Sequence, residues 1–185
     1  MKRVVLVNGV PASGKSTVAR MLVRALVAEG MAVVPLGLDT VKEGLFAQIG
    51  TGDRDHNRML GRASYHAIFN LVAGFSDGIL PVIDAWHGFQ PESVLRDHLA
   101  RAGAARVVEI WVRVDPAEAA RRYRARACRR HSGHLPASYA EELAELAARA
   151  RPIALGPVIE VEGAGAPQGD LAAQVLAALR EGETG

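Results

Sequence analysis

Short β-branched runs and longer stretches of helical spacing follow one another along this chain in a regular order. Lys2 to Val7 has few polar residues, the pattern of a central parallel strand buried on both faces. From Val18 to Ala28 the apolar residues Val18, Met21, Leu22, Ala25 and Leu26 recur at helical spacing, and Gly30 supplies a stop. Ala32 to Leu38 reads as a second strand ending at Asp39, with Pro35 pointing to an edge or a bent start. Thr40 and Glu43 have the spacing of a capping box opening a helix to about Ile49, and Gly50 to Asn57 reads as a loop. Arg58 to Phe75 is a long helix with Leu60, Ala63, Ala67 and Leu71 along one face.

Ile79 to Ile83 is a third strand ending at Asp84, Pro91 to Ala102 a helix, and Arg106 to Val114 a fourth strand. Asp115 and Pro116 mark the N-cap and first turn of a helix that runs into an arginine-rich segment ending near His134. Ser138 to Ala150 is a further helix, Val158 to Val161 a fifth strand, Gly163 to Gly169 a loop and Gln168 to Leu179 a closing helix. Strands alternating with helices imply right-handed crossovers and a parallel sheet covered on both faces, an α/β fold. In such folds functional groups collect at the carboxyl ends of the strands.

At the first of those ends stands Gly9-Val10-Pro11-Ala12-Ser13-Gly14-Lys15-Ser16-Thr17, G-x-x-x-x-G-K-[ST] in strand–loop–helix context. Glycines let backbone N–H groups curl around phosphate oxygens, and the following helix presents its positive end to them. The residues Gly9, Pro11, Ala12, Ser13, Gly14, Lys15, Ser16 and Thr17 are therefore the expected nucleotide site. Lys15 would reach the β- and γ-phosphates of a nucleoside triphosphate, and the Ser16 hydroxyl would ligate Mg²⁺.

Composition narrows the setting. The chain has 185 residues, 49% hydrophobic and 23% charged, which favours one domain with a sizeable core. A formal charge of +2 argues against general polyanion binding, and the arginine excess is concentrated between Arg121 and Arg130. The single cysteine, Cys128, excludes an internal disulfide and suits a reducing cytoplasm. The apolar run after Lys2 and Arg3 is shorter than a signal h-region, and no stretch has the length of a membrane span, so a cytoplasmic protein is expected.

Beyond the phosphate loop, Leu36-Gly37-Leu38-Asp39-Thr40, Val82-Ile83-Asp84 and the arginine segment together resemble the small P-loop kinases, in particular the chloramphenicol-phosphotransferase-like and related bacterial small-molecule kinases. Gly133-His134-Leu135-Pro136-Ala137-Ser138 is similar to a stretch of gluconate kinases. The resemblance implies a P-loop NTPase fold, a three-layer sandwich on a five-stranded parallel sheet of order 2-3-1-4-5. It also implies a lid over roughly residues 121–138 and phosphoryl transfer from ATP to a hydroxyl. In the resembling phosphotransferases an aspartate at the end of strand two faces the acceptor hydroxyl; Asp39 stands there, one position outside the expected capping pair. Lid arginines in those kinases close on the γ-phosphate.

On a helix Arg122, Arg126 and Arg130 share one face, where stacked like charges repel unless an anion sits among them. A triphosphate suits their guanidinium forks. A solvated basic face, or one pairing with Glu141, Glu142 and Glu145, is the plainer account of the same arginines. Asp84 ends its strand where it could hold Mg²⁺ or the acceptor. Trp86 and His87 follow it as candidate walls of an acceptor pocket, although Trp86 also suits core packing and His87 a solvated loop. In the loop after strand two, Arg54, His56 or Arg58 could select an anionic or polyhydroxy acceptor, or simply be solvated. Cys128, His131 and His134 have metal-like spacing, but a structural zinc site wants four ligands and no second cysteine exists.

The expectation is an ATP- and Mg²⁺-dependent kinase acting on a small hydroxylated molecule, an antibiotic, a sugar or another metabolite. A nucleotide or polynucleotide end kinase is the nearest competitor on the same chassis. Aromatics at 5% and the lack of an extended basic groove disfavour a nucleic acid partner. A slow nucleotide-hydrolysing regulator is a third reading, although the chain lacks the Asn-Lys-x-Asp element of guanine-specific switches. The acceptor and the oligomeric state are not encoded in any motif.

Overall fold

In a computed structural model, which describes residues 1–163 and 170–180, the elements alternate as the pattern of positions implies. The strands are β1 (Lys2–Asn8), β2 (Val33–Gly37), β3 (Leu80–Asp84), β4 (Ala104–Arg113) and β5 (Val158–Glu162). They form one sheet of order β2-β3-β1-β4-β5, with every pairing parallel. Pro35 lies on the edge strand, where its missing N–H costs no ladder bond. The helices are α1 (Lys15–Ala28), α2 (Leu38–Ile49), α3 (Arg54–Gly74), α4 (Glu92–Arg101), α5 (Pro116–Arg126), α6 (Ala140–Arg149) and α7 (Leu171–Arg180). The expected loop from Gly163 and the expected start of the last helix at Gln168 fall largely outside the described residues.

Val4 to Val7 of β1 are buried without exception, because successive side chains enter opposite layers. Val5 and Val7 pack with Val18, Leu22 and Leu26 of α1 and Val175 and Leu179 of α7. Val4 and Leu6 meet Tyr65, Ile68 and Phe69 of α3 and Leu95 and Leu99 of α4. A third cluster joins the phosphate loop (Val10, Ala12) to α5 (Ala119, Tyr123) and α6 (Ala140, Leu143). The loop thus rests on packed helices.

Of the boundaries that differ from expectation, three bear on the site, and each has a local reason. Helix α2 starts at Leu38, directly off β2, with extended Gly37 before it and no side-chain cap. The Thr40–Glu43 capping box is therefore absent: Thr40 is inside the first turn, and Glu43 accepts from His134 instead. Helix α3 begins four residues early, because Asp53 caps it by accepting from the His56 amide at 2.9 Å. The arginine helix stops at Arg126, followed by a 3₁₀ turn over Ala127–Arg129, so Arg130 does not continue the face of Arg122 and Arg126.

A buried carboxylate ties the sheet together beneath the site. Glu109 of β4 accepts from the Asn8 side chain at 2.7 Å and from the Ile153 and Ala154 amides at 3.1 and 2.7 Å. Asn8 in turn accepts from the amides of Gly9 and His87, fixing the phosphate loop and the segment after β3 through one carboxamide.

Candidate active site

The phosphate loop leaves β1 and enters α1 with no side chain capping the helix and no acidic residue in its first turn. Its leading amides thus stay available to an anion. Gly14 has φ +101, and a Cβ there would lie 2.5 Å from the Gly163 carbonyl oxygen, so only glycine fits. Ala12 is also left-handed at φ 67, a strained conformation typical of ligand-binding loops. The Ser13 Oγ is buried without a partner.

A cavity of about 1090 Å³ opens over this loop at the carboxyl ends of β1, β2 and β3. That volume lies at or above the upper range for a single small-ligand pocket. Pro11, Lys15, Ser16, Asp39, Asp84 and Trp86 line it, and Arg126 and Arg130 face it from the arginine segment. The Trp86 ring lies so close over Gly88 that a Cβ there would sit 2.4 Å from it.

Asp39 occupies the first turn of α2, and its side chain is 60% accessible, toward the cavity. The cavity walls still strip it of water, which raises its pKa. Lys15, then Arg130, His134 and Lys42 outweigh that effect and hold the carboxyl below its usual range. Arg130, only 18% accessible, bonds Asp39 at 2.9 Å. Asp84 shows the opposite balance: burial dominates and leaves its pKa raised, against opposing pulls from Lys15, the Ser16 hydroxyl and Arg20. Its Oδ1 is buried without a hydrogen-bond partner. A carboxylate with one orphaned oxygen, beside the Ser16 hydroxyl at the phosphate loop, fits a Mg²⁺ ion, which takes one or two protein oxygens and completes its shell with water and phosphate.

Other expected site residues are deployed differently. Arg122 does not line the cavity; it pairs with Glu118 at 2.6 Å and donates to the carbonyls of Ser13 and Gly163. Its place is behind the phosphate loop. Arg126 lines the cavity with no hydrogen bond or ion pair among the described residues. His87 is a correction: it is buried and takes no part in lining the cavity, its Nδ1 sharing a 2.7 Å hydrogen bond with the Tyr65 hydroxyl. Burial pushes its pKa down to about 3, so it stays neutral. Arg54 does reach the cavity edge but is engaged by Glu142 at 2.6 and 3.1 Å. Cys128 is exposed, the His131 ring accepts from the Gly133 amide and His134 bonds Glu43, and no group of three metal-ligating side chains occurs among the described residues.

Among the cavity side chains that sequence reasoning missed, one lysine stands out. Lys42, one turn beyond Asp39 on α2, is only 9% exposed and donates to the Asn57 side chain at 2.8 Å. A lysine at helical spacing reads as a solvated face, and nothing in the sequence marks it as buried. The segment from Arg130 to His134 closes over the same region: His131 stacks on Phe46 at 5.1 Å, and Asn57 donates to the Gly133 carbonyl.

Sheet order and phosphate loop together define a P-loop protein. The chain belongs to the AAA domain family, whose model matches residues 4–152. Among curated proteins it is 36% identical over 72 residues to an adenylyl-sulfate kinase of Burkholderia ambifaria. That match covers 39% of this chain and 40% of the relative. Among solved structures it superposes at a TM-score of 0.77 on a protein of Chloroflexus aurantiacus described provisionally as a kinase, with 22% identity over 95% of this chain and 96% of that one. A gluconokinase of Sinorhizobium meliloti aligns at a TM-score of 0.57, with 18% identity over 96% and 91% of the two chains. Both superpositions speak to the fold.

Proposed function

We propose that the protein transfers the γ-phosphoryl group of ATP to a hydroxyl of a small molecule. The observation that carries this reading is the ionised Asp39, facing the same cavity as Lys15 and bonded to Arg130. Phosphoryl transfer asks mainly for positioning and for positive charge on the migrating group. Lys15 and the loop amides would hold the β- and γ-phosphates, with Arg126 and Arg130 countering charge that develops on the equatorial oxygens. Ser16 and Asp84 would hold Mg²⁺, which neutralises phosphate charge and orients the donor.

Asp39 would accept a hydrogen bond from the acceptor hydroxyl and aim its oxygen at phosphorus. A carboxyl with a lowered pKa is a weak base, so its main contribution is orientation. The acceptor O–P bond forms as the bridging Pγ–O bond breaks, ADP leaves, and the hydroxyl proton passes to Asp39 and then to solvent. The partial match to an adenylyl-sulfate kinase supports phosphoryl transfer to a small molecule. An ADP-release screen over metabolites and antibiotics, with mass detection of the product, tests the proposal. A phosphorylated acceptor is expected; ADP release without phosphorylated product across the library would overturn it in favour of a hydrolase.

A further inference from the structure

Two lysines of this chain have buried side chains, and they are satisfied very differently. Lys2 donates to the carbonyls of Val72 and Ala73 at 2.9 Å each, against the negative end of α3. Lys42 has one acceptor, Asn57 Oδ1. An ammonium carries three donors, and leaving buried donors unmet costs about 1–3 kcal/mol, more for a charge.

The nearby carboxylates do not supply the missing partners. Asp39 is engaged by Arg130 at 2.9 Å and Glu43 by His134 at 2.7 Å. Burial accordingly pulls the Lys42 pKa down, a pull that Asp39 and Glu43 oppose only partly. Opposite Lys42, Gly61 of α3 lies 3.9 Å from its Nζ when a Cβ is placed there, leaving van der Waals room and no polar group. Three residues before Gly61 and one after it, Arg58 and Arg62 line the same cavity at i, i+4 spacing. Arg58 has only an exposed pair with Asp55 at 3.3 Å, and Arg62 has no ion pair among the described residues.

We infer that the acceptor is itself an anion: a hydroxylated small molecule bearing a carboxylate, phosphate or sulfate, whose charged group binds Lys42 with Arg58 and Arg62. This rests on the kinase reading and adds the acceptor's chemical class. Lys15, Arg126 and Arg130 serve the triphosphate, so a neutral acceptor would leave the α2–α3 wall of the cavity with a buried, two-thirds unpartnered ammonium. An anionic group there would place a hydroxyl one helical turn away, toward Asp39. It also gives Lys42 the charged partner that its burial demands.

Inorganic sulfate is the probe, titrated calorimetrically into protein whose phosphate loop is filled with Mg²⁺ and a non-hydrolysable ATP analogue. One saturable sulfate site is expected, weakened at least tenfold in Lys42→Gln. Should a thermal melt show that variant unfolded, the exposed pair Arg58→Gln and Arg62→Gln carries the same expectation. No saturable site, or unchanged affinity in a folded variant, overturns the inference. Turnover supplies the second arm, in which matched acceptors sharing one hydroxylated skeleton are compared as neutral, carboxylate, phosphate and sulfate forms. An anionic form should be preferred at least tenfold in kcat/KM, with Lys42→Gln raising its KM far more than it lowers kcat and leaving the ATP KM in place. Preference for the neutral form overturns the inference while upholding the kinase. Failure to bind the ATP analogue sinks the kinase reading itself.

Discussion

Asp39 and Arg130 decide most of what individual side chains can do here. Replacing the carboxylate, as Asp39→Asn, should lower turnover about 10²–10⁴-fold while a calorimetric titration finds nucleotide affinity nearly unchanged. Because its cationic neighbours lower the Asp39 pKa, activity should fall only as pH drops below the ordinary carboxylate range. Arg130→Gln removes, after Lys15, the strongest of those cations, so the Asp39 pKa rises and the acid limb of kcat/KM should move to higher pH. A pH–rate profile of the two proteins checks the sign. At this scale the sequence was readable where chemistry is contiguous or sits at a strand end, which covers the phosphate loop, Asp39 and Asp84. It misled for His87, whose nearness to Asp84 along the chain does not turn its ring into the same space. It was silent for Lys42, since burial of a helical lysine depends on α3, fifteen and more residues away.

Among elements, the phosphate loop depends on its neighbours as much as on its own glycines. The end of β5 packs so tightly behind it that a Cβ on Gly163 would fall 1.7 Å from the Ser13 carbonyl oxygen. Gly163→Ala must therefore displace one of two backbones. ATP affinity should drop at least tenfold and the melting temperature by several degrees, readable by titration and by thermal melt. Arg122 braces the same contact by donating to both carbonyls. Helix periodicity located the cores of these elements but not their ends. The polar stretch 54–57 faces outward except for Asn57, so the first turn of α3 lacks an apolar signature and is marked only by its Asp53 cap. Arg130 reaches the cavity although the helix that was expected to carry it ends four residues earlier; the 3₁₀ turn supplies the redirection.

For the molecule as a whole, the alternation of strands and helices could be read because each buried strand and covering helix announces itself in the spacing of apolar residues, whereas the strand order came from the resemblance to P-loop kinases. What spacing cannot convey is how two separate segments close on each other, and here the 130–134 segment meets α2 through Asp39, Glu43 and Phe46. Binding of ATP to the folded state alone should stabilise it by about 2.7 kcal/mol at a hundredfold excess over Kd. For a chain of this size that is roughly a 5–11 °C rise in melting temperature. Lys15→Ala should abolish most of the shift, and a melt with and without nucleotide would show it. The Arg130–Asp39 bond then takes on a meaning in the resting protein. On the proposed kinase reading, Arg130 would serve the donor and Asp39 the acceptor, so this bond would hold each away from its own guest. A triphosphate drawing Arg130 away would then unmask Asp39, and an acceptor claiming Asp39 would free Arg130, so each guest would prepare the seat of the next.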